Sequence, residues 1–350
     1  MPAQGKEGFK TGFRLWPGPG RLKAEILFEA VDSGFPALEA TASWAASCHS
    51  PFHLRPSIRA LVEGGWSPWY SLGSWSEEDR ASAGGQEDGI ARMATDTLIL
   101  SRPASAFQLK ASLEGRASTA AAMHPGPSLD AMALAWSTAR PEPGAGLALG
   151  QASAQAPALA PPAAARPLAI QGLPAWSQMV YARGKGWCSP TALSMVIAYW
   201  EGAAGLGAPE VEYRITRTAD AVWDSAYEGC GNWAFNAAYA ASLGYAAVVR
   251  RFARLSEAEA WLEAGVPPIL SVSWDKERPL TGAPLAASRG HLLVLTGRDE
   301  AGDPQVHDPA APDGPLVPRT YARAELEARW LEASGGTAYL VWPKGKQVPL

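Results

Sequence analysis

The chain has 350 residues, 47% hydrophobic and 18% charged, with 30 basic against 34 acidic side chains and a formal charge of -4. That length holds roughly two domains of about 150 residues each, and the near-balanced charge excludes a polybasic nucleic-acid binder or an extended acidic chain. Three cysteines, Cys48, Cys188 and Cys230, close at most one bridge, and no CxxC pair marks a zinc or dithiol site.

The first twenty residues break up on Pro and Gly without a continuous apolar core, so no signal peptide and no membrane span are expected. The compartment stays open: cytoplasmic by sequence alone, secreted or periplasmic if the N-terminus is processed. The segments LKAEILFEAV, FHLRPSIRALVE, WSPWYSLGSW, TDTLILS and AFQLKASLE follow, separated by Gly, Pro, Ser and Asp clusters, and several alternate apolar with polar residues. One buried and one wet face predict an antiparallel β-sandwich of seven or eight strands over residues 1–140. Within it, Trp66, Trp69, Trp75 and Tyr70 are read either as packing or as a sugar-stacking surface. His49 and His53, beside Cys48, are a weak metal signal with no acidic partner in sequence.

Residues 135–172 are rich in Ala, Pro and Gly and nearly uncharged, which places a linker at 141–170 and a second domain at 171–350. There the pattern mixes helix and strand. PTALSMVIAYW (190–200) opens on Pro, is followed by GAAGLG, and is apolar all round, so it predicts a buried central helix. Helices are also expected at 232–244 and 256–265, the second with a capping box from Ser256 and Glu259. Strands are expected at 245–250, 268–274, 291–297, 304–308 and 337–342, giving an α+β domain with one helix against an antiparallel sheet.

Cys188 stands just before the Pro190 helix, where unpaired backbone N-H groups and the positive helix end favour a thiolate; the alternative is a small buried hydrophobe. In the hairpin HLLVLTG-RDEAGD-PQVHD the first residue of one strand lies beside the last of the next, bringing His291 near Asp308. A carboxylate beside an imidazole fixes its tautomer and supports the imidazolium. His307 points to the opposite face by strand period, so His291 and Asp308 are expected to share a face only where the chain turns at the strand end, with His307 as the alternative base. Gln178, ten residues before Cys188, is read as either an oxyanion donor or a surface glutamine. Asn232, Trp233 and Asn236 structure the chain, Asn232 as a sensible helix cap, or line a groove; Cys230 is read as a buried thiol rather than a partner for Cys188, the acidic residues of SEAEAWLEAG as a wet helix face, and Arg289 as a solvated arginine, with the cleft rim as the alternative.

Four stretches, QMVYARGKGWCSPTALSMVIAYW, GCGNWAFNAAYAASLGY, GVPPILSVSW and GHLLVLTGRDEAGDPQVHDPAA, together resemble the C39-like branch of the papain-type cysteine peptidases over residues 173–343. The chain is similar to a bacterial subgroup with an N-terminal β-domain. The resemblance implies a papain-like fold with Cys188 as nucleophile, His291 as general base and acid, Asp308 as its orienter and Gln178 as oxyanion donor. It implies a peptide or amide substrate and no cofactor or metal. The commoner family form has Gly after the nucleophile; Ser189 stands here, which puts the shape of the oxyanion site in question. The same triad suits a transpeptidase or acyltransferase. The alternative of another class is an idle binding protein holding a glycan or cell-envelope polymer on the β-domain.

Overall fold

The computed structural model describes residues 4–7, 11–18, 21–115, 127–138 and 166–349. Most of the Ala/Pro-rich stretch, residues 139–165, lies outside the described residues. The N-terminal half contains β1 (Gln4–Glu7), β2 (Thr11–Gly18), β3 (Arg21–Phe28), β4 (Val31–Ser47), β5 (His53–Val62), β6 (Gly65–Trp66), β7 (Tyr70–Ser71), β8 (Ser74–Trp75), β9 (Arg80–Ala81), β10 (Ala91–Ala94), β11 (Thr97–Gly115) and β12 (Ser128–Ser137). All its strand pairings are antiparallel, as the alternation predicts. The strands are more numerous than expected, and they form one hydrogen-bonded sheet of twelve in place of two separate ones.

The reason lies in β4 and β11, which run 17 and 19 residues and pass from one layer to the other. β11 pairs with β10 and β4 near its start and with β5 and β3 farther along, and its register slips between Ile99 and Ala106. Bulges of this kind bend a strand and raise its twist, so the sheet folds back on itself. The interior is filled by Trp44, Leu54, Ile58, Trp75, Leu98, Phe107 and Trp136.

The C-terminal half contains β13 (Leu168–Ala169), α1 (Cys188–Trp200), α2 (Ala208–Val222), α3 (Trp233–Ser242), β14 (Tyr245–Arg251), α4 (Leu255–Glu263), β15 (Ile269–Trp274), β16 (Ser288–Arg298), β17 (Pro304–His307), β18 (Pro318–Thr320), α5 (Arg323–Ser334) and β19 (Thr337–Pro343). Its sheet runs β14-β19-β15-β16-β17-β18, with β13 beside β16. Helices cover both faces, not one. Leu292, Val294 and Val341 pack with α1, α2 and α3, while Leu293, Leu295 and Leu340 pack with α4 and α5. A sheet buried on both faces explains why HLLVLTG is an unbroken apolar run. Helices α2 and α5 were not anticipated, because both are rich in charged residues.

The capping box does not form. The cap of α4 is Arg254, with no side-chain hydrogen bond. Glu259 is buried and bonded to Arg323, and lies 3.5 Å from Arg298, so it is not part of a wet face. Both partners come from distant strands or helices, out of reach of local pattern.

The halves meet over a broad buried surface. Ala234, Phe235 and Ala238 of α3 belong to the N-terminal core, and Val249 N-H donates to Ser43 Oγ at 3.0 Å. Among the described residues no helix is long and apolar enough to cross a membrane.

Candidate active site

Helix α1 starts at Cys188 itself, with Pro190 as its third residue, and Trp187 caps it without a side-chain bond. Cys188 is therefore in the first turn, where a backbone N-H has no partner within the helix. The helix behind it is buried from Ser189 to Ala198, so its end is rigidly placed. Cys188 is half-buried and free, and its sulfur accepts hydrogen bonds from His291 and from the N-H groups of Leu292 and Ser189. Burial alone pushes this thiol up; His291 and the two N-H groups outweigh it and bring it below its ordinary value.

His291 Nε2 lies 2.7 Å from Asp308 Oδ1, with both side chains buried. Since Nε2 is taken by the carboxylate, Nδ1 is the nitrogen left for the sulfur. Burial disfavours the imidazolium, but Asp308 and then Cys188 more than compensate, raising His291 to about 10. Asp308 is held below the usual carboxylate range despite burial, by His291, the Ala310 N-H and the Tyr321 hydroxyl. Tyr321 donates to Oδ2 at 2.8 Å and Ala310 N-H to Oδ1 at 2.9 Å. The ring of Trp274 meets that of His291 at 5.5 Å in an edge arrangement.

The register that unites His291 and Asp308 differs from the expected one. β16 begins at Ser288, three residues before His291, and Val294 pairs with His307. Paired residues share a face, so His291, three residues from Val294, and Asp308, one beyond His307, fall on the same opposite face by simple alternation. No turn of the chain is needed. His307 points away, and its Nδ1 donates to the Pro174 carbonyl at 2.8 Å.

Gln178 is buried, not a surface residue. Its N-H donates to Pro309 O at 2.9 Å, next to Asp308, and its Nε2 donates to Gly184 O at 2.9 Å, a carbonyl that also accepts from Trp187 N-H. The backbone of Gln178 is thus tied to the loop of Asp308, and its side-chain amide to the turn entering Cys188. One Nε2 hydrogen remains uncommitted by that bond. Ser189 turns inward and meets the Tyr339 hydroxyl at 2.9 Å, so its side chain does not narrow the cleft.

A cleft of about 600 Å³ opens at Cys188, lined also by Tyr227, Cys230, Trp233, Ser273 and Arg289. Cys230 is buried with its sulfur 3.5 Å from Ala219 O, and burial pushes its thiol up to about 12; it forms no bridge. Asn232 caps α3 by accepting from Phe235 N-H and donates to Asp224 Oδ2 at 3.0 Å. Asn236 is also structural, donating to Cys230 O and Asn232 O. Replacing Asn232 with alanine removes both the cap and a buried donor, with an expected loss of about 1–2 kcal/mol measurable by urea unfolding.

The β-domain aromatics do not form a sugar platform. Trp75 and Tyr70 are buried, and Arg59 lies over the faces of both Trp66 and Trp69 at 4.5 and 4.6 Å. His49 has acidic neighbours after all, Glu77 and Glu78, and His53 lies near Asp79. Among the described residues no group of three or more His, Cys, Asp or Glu is arranged to hold a metal.

Residues 170–338 match the Peptidase_C39 like family, and residues 23–137 match the Peptidase C39 N-terminal domain. The chain belongs to the peptidase C39-like family. Curated proteins and solved structures give no match. In this C39-like protein, sequence reasoning missed Tyr321 and the Leu292 N-H. Tyr321 lies 13 residues beyond Asp308, and only the return of β18 along β17 brings it back.

Proposed function

We propose that the protein is a cysteine peptidase or amidase-type acyl hydrolase in a papain-like fold, with Cys188 as nucleophile, His291 as base and acid, Asp308 as orienter and Gln178 as oxyanion donor. The observation that carries this reading is the half-exposed Cys188 at a helix N-terminus, hydrogen-bonded to an imidazole that Asp308 holds at 2.7 Å. The opposed shifts of Cys188 and His291 favour a thiolate-imidazolium pair in the resting site. No proton then has to leave the sulfur before attack.

The thiolate adds to the acyl carbon, and the carbonyl electron pair moves onto oxygen. The second Nε2 hydrogen of Gln178 and the Cys188 N-H are the donors for that charge, a contribution typically worth about 3–4 kcal/mol per donor. The tetrahedral adduct collapses to a thioester as the amine leaves with the proton from His291 Nδ1. Neutral His291 then takes a proton from water, hydroxide adds to the thioester carbon, and the sulfur departs as thiolate. Throughout, Asp308 keeps the ring oriented, and Tyr321 and Ala310 hold Asp308.

The test is a set of peptidyl acyloxymethyl ketones, which lose carboxylate on attack by a thiolate. Intact-mass analysis is expected to show one adduct at Cys188, lost in Cys188→Ala although Cys48 and Cys230 remain. Labelling that persists in the variant, or none in the native protein, overturns the assignment. Tyr321→Phe removes one donor to Asp308 and is expected to slow labelling by about tenfold, in line with the loss of one charge-assisted hydrogen bond, as a labelling time course reads.

A further inference from the structure

The cleft at Cys188 is not made by the C-terminal half alone. Ala94, Thr95, Asp96 and Thr97, at the β10–β11 hairpin of the N-terminal half, line it together with Tyr227, Glu228 and Gly229. Among the described residues three that are not glycine have φ in the left-handed region: Glu63 at 51°, Thr95 at 54° and Glu228 at 55°. Two of the three stand on this wall. Thr95 is the first central residue of a two-residue hairpin loop, where positive φ ordinarily selects glycine, and a β-branched side chain is among the least suited to that conformation. Unfavourable backbone at a cleft points to a side chain retained for contact.

The N-terminal half also fixes the second of these residues. Arg80 donates to the carbonyls of Asp220 and Trp223, and its own carbonyl accepts from Ser225 N-H at 3.1 Å. Ser82 N-H donates to Asp224 Oδ1 at 2.9 Å, an oxygen that also receives Tyr227 N-H. At the far end, Asp96 Oδ2 accepts from Trp233 N-H at 2.9 Å. The segment carrying Glu228 is therefore gripped on both sides by the domain that carries Thr95.

We propose that Thr95 and Glu228 are substrate-contact residues, one from each domain, which form a wall of the peptide cleft and set its selectivity, with the Glu228 carboxylate favouring a peptide that carries a basic side chain. This rests on the peptide-hydrolase reading of Cys188. Asp96 acts as a positioning residue that holds the start of α3 against the hairpin.

Thr95→Gly and Glu228→Gly, singly and together, test it because glycine relieves the left-handed backbone. A side chain kept only for structure predicts a lower melting temperature on its removal; the proposal predicts a melting temperature held or raised. On a Cys188→Ala background, pooled Lys-containing peptides are expected to bind at least about fivefold more weakly to the double variant, the scale of one hydrogen bond. Their advantage over matched Glu-containing peptides is expected to vanish with Glu228→Gly. Equal retention by native and double-variant cleft, or no retention by either, overturns the proposal. Iodoacetamide alkylation of Cys188 in the native sequence is the separate readout: an ordinary thiol profile there defeats the catalytic reading while peptide retention still answers for the wall.

Discussion

His291→Ala is expected to slow alkylation of Cys188 at pH 7 by about tenfold or more and to move its midpoint upward by several pH units, the scale of shift seen at buried sites. In the native site the thiol is below its ordinary value and His291 is raised to about 10. The pair therefore carries thiolate and imidazolium together from the lowered titration of Cys188 up to about pH 10, where the ring loses its proton. The sign on removing the ring follows from what remains. Burial, the largest influence on Cys188, raises it, and only the N-H groups of Leu292 and Ser189 still oppose that. The thiolate fraction at neutral pH then falls below that of a free cysteine, about 3% from a pKa near 8.5. Iodoacetamide rates from pH 5 to 10, with adducts assigned by mass, give the profile for each thiol. Cys48 and Cys230, both pushed up to about 12 by burial, serve as internal slow references. A profile unchanged by the substitution would falsify the ion pair. Turnover of any acyl substrate is expected to fall further than alkylation, since His291 also protonates the leaving amine, a role worth about 10²–10⁴ in rate.

What the sequence disclosed follows from how local each signal is. The α1 helix was legible because its apolar residues fall on every face, and a helix buried all round has few alternatives. The strands of the second sheet were legible as apolar runs, but the same runs meant cover on both faces, and that consequence depends on α4 and α5 returning to the far side. α5, RAELEARWLEAS, shows little more than charge, and its anchors Leu326 and Trp330 are only two of twelve residues. His291 and Asp308 were paired from the hairpin, yet through the wrong geometry. The slip came from starting β16 at His291, when Ser288–Gly290 already extend the strand. Contacts between the halves were not legible at all. Arg80, Ser82 and Asp96 carry no motif, and their partners lie more than 130 residues away.

The contact between the halves also sets the largest expected effect on stability. Arg251→Met is expected to cost about 3–5 kcal/mol, because it removes one member of a buried ion pair, taking the Arg251 cation away from the Glu39 carboxylate. The two side chains are 0% and 5% exposed, and Arg251 Nη1 stands 2.6 Å from Glu39 Oε2. Arg251 is on β14, whereas Glu39 and Thr41 are on β4 and Ser137 ends β12, so the guanidinium is shared across the interface. Removing both charges, as Glu39→Leu with Arg251→Met, is expected to recover most of the loss. Desolvating an ion pair costs about what its attraction returns, and well-packed apolar replacements are often neutral. Urea unfolding of the native protein, the single variant and the double variant separates the two terms. A single-variant loss under about 1 kcal/mol, the range of an exposed pair, would mean that water reaches Glu39 and that the halves are not closed here. The same network reaches the cleft, because Thr41 Oγ1 meets Thr97 Oγ1 at 3.1 Å and Thr97 follows Asp96 in the hairpin. Loosening the Arg251 site is therefore expected to reduce peptide binding at the two-domain wall while leaving small-reagent alkylation of Cys188 intact, since the partners released, Glu39, Thr41 and Ser137, lie in the N-terminal half, whereas His291, Asp308 and α1 lie in the C-terminal half.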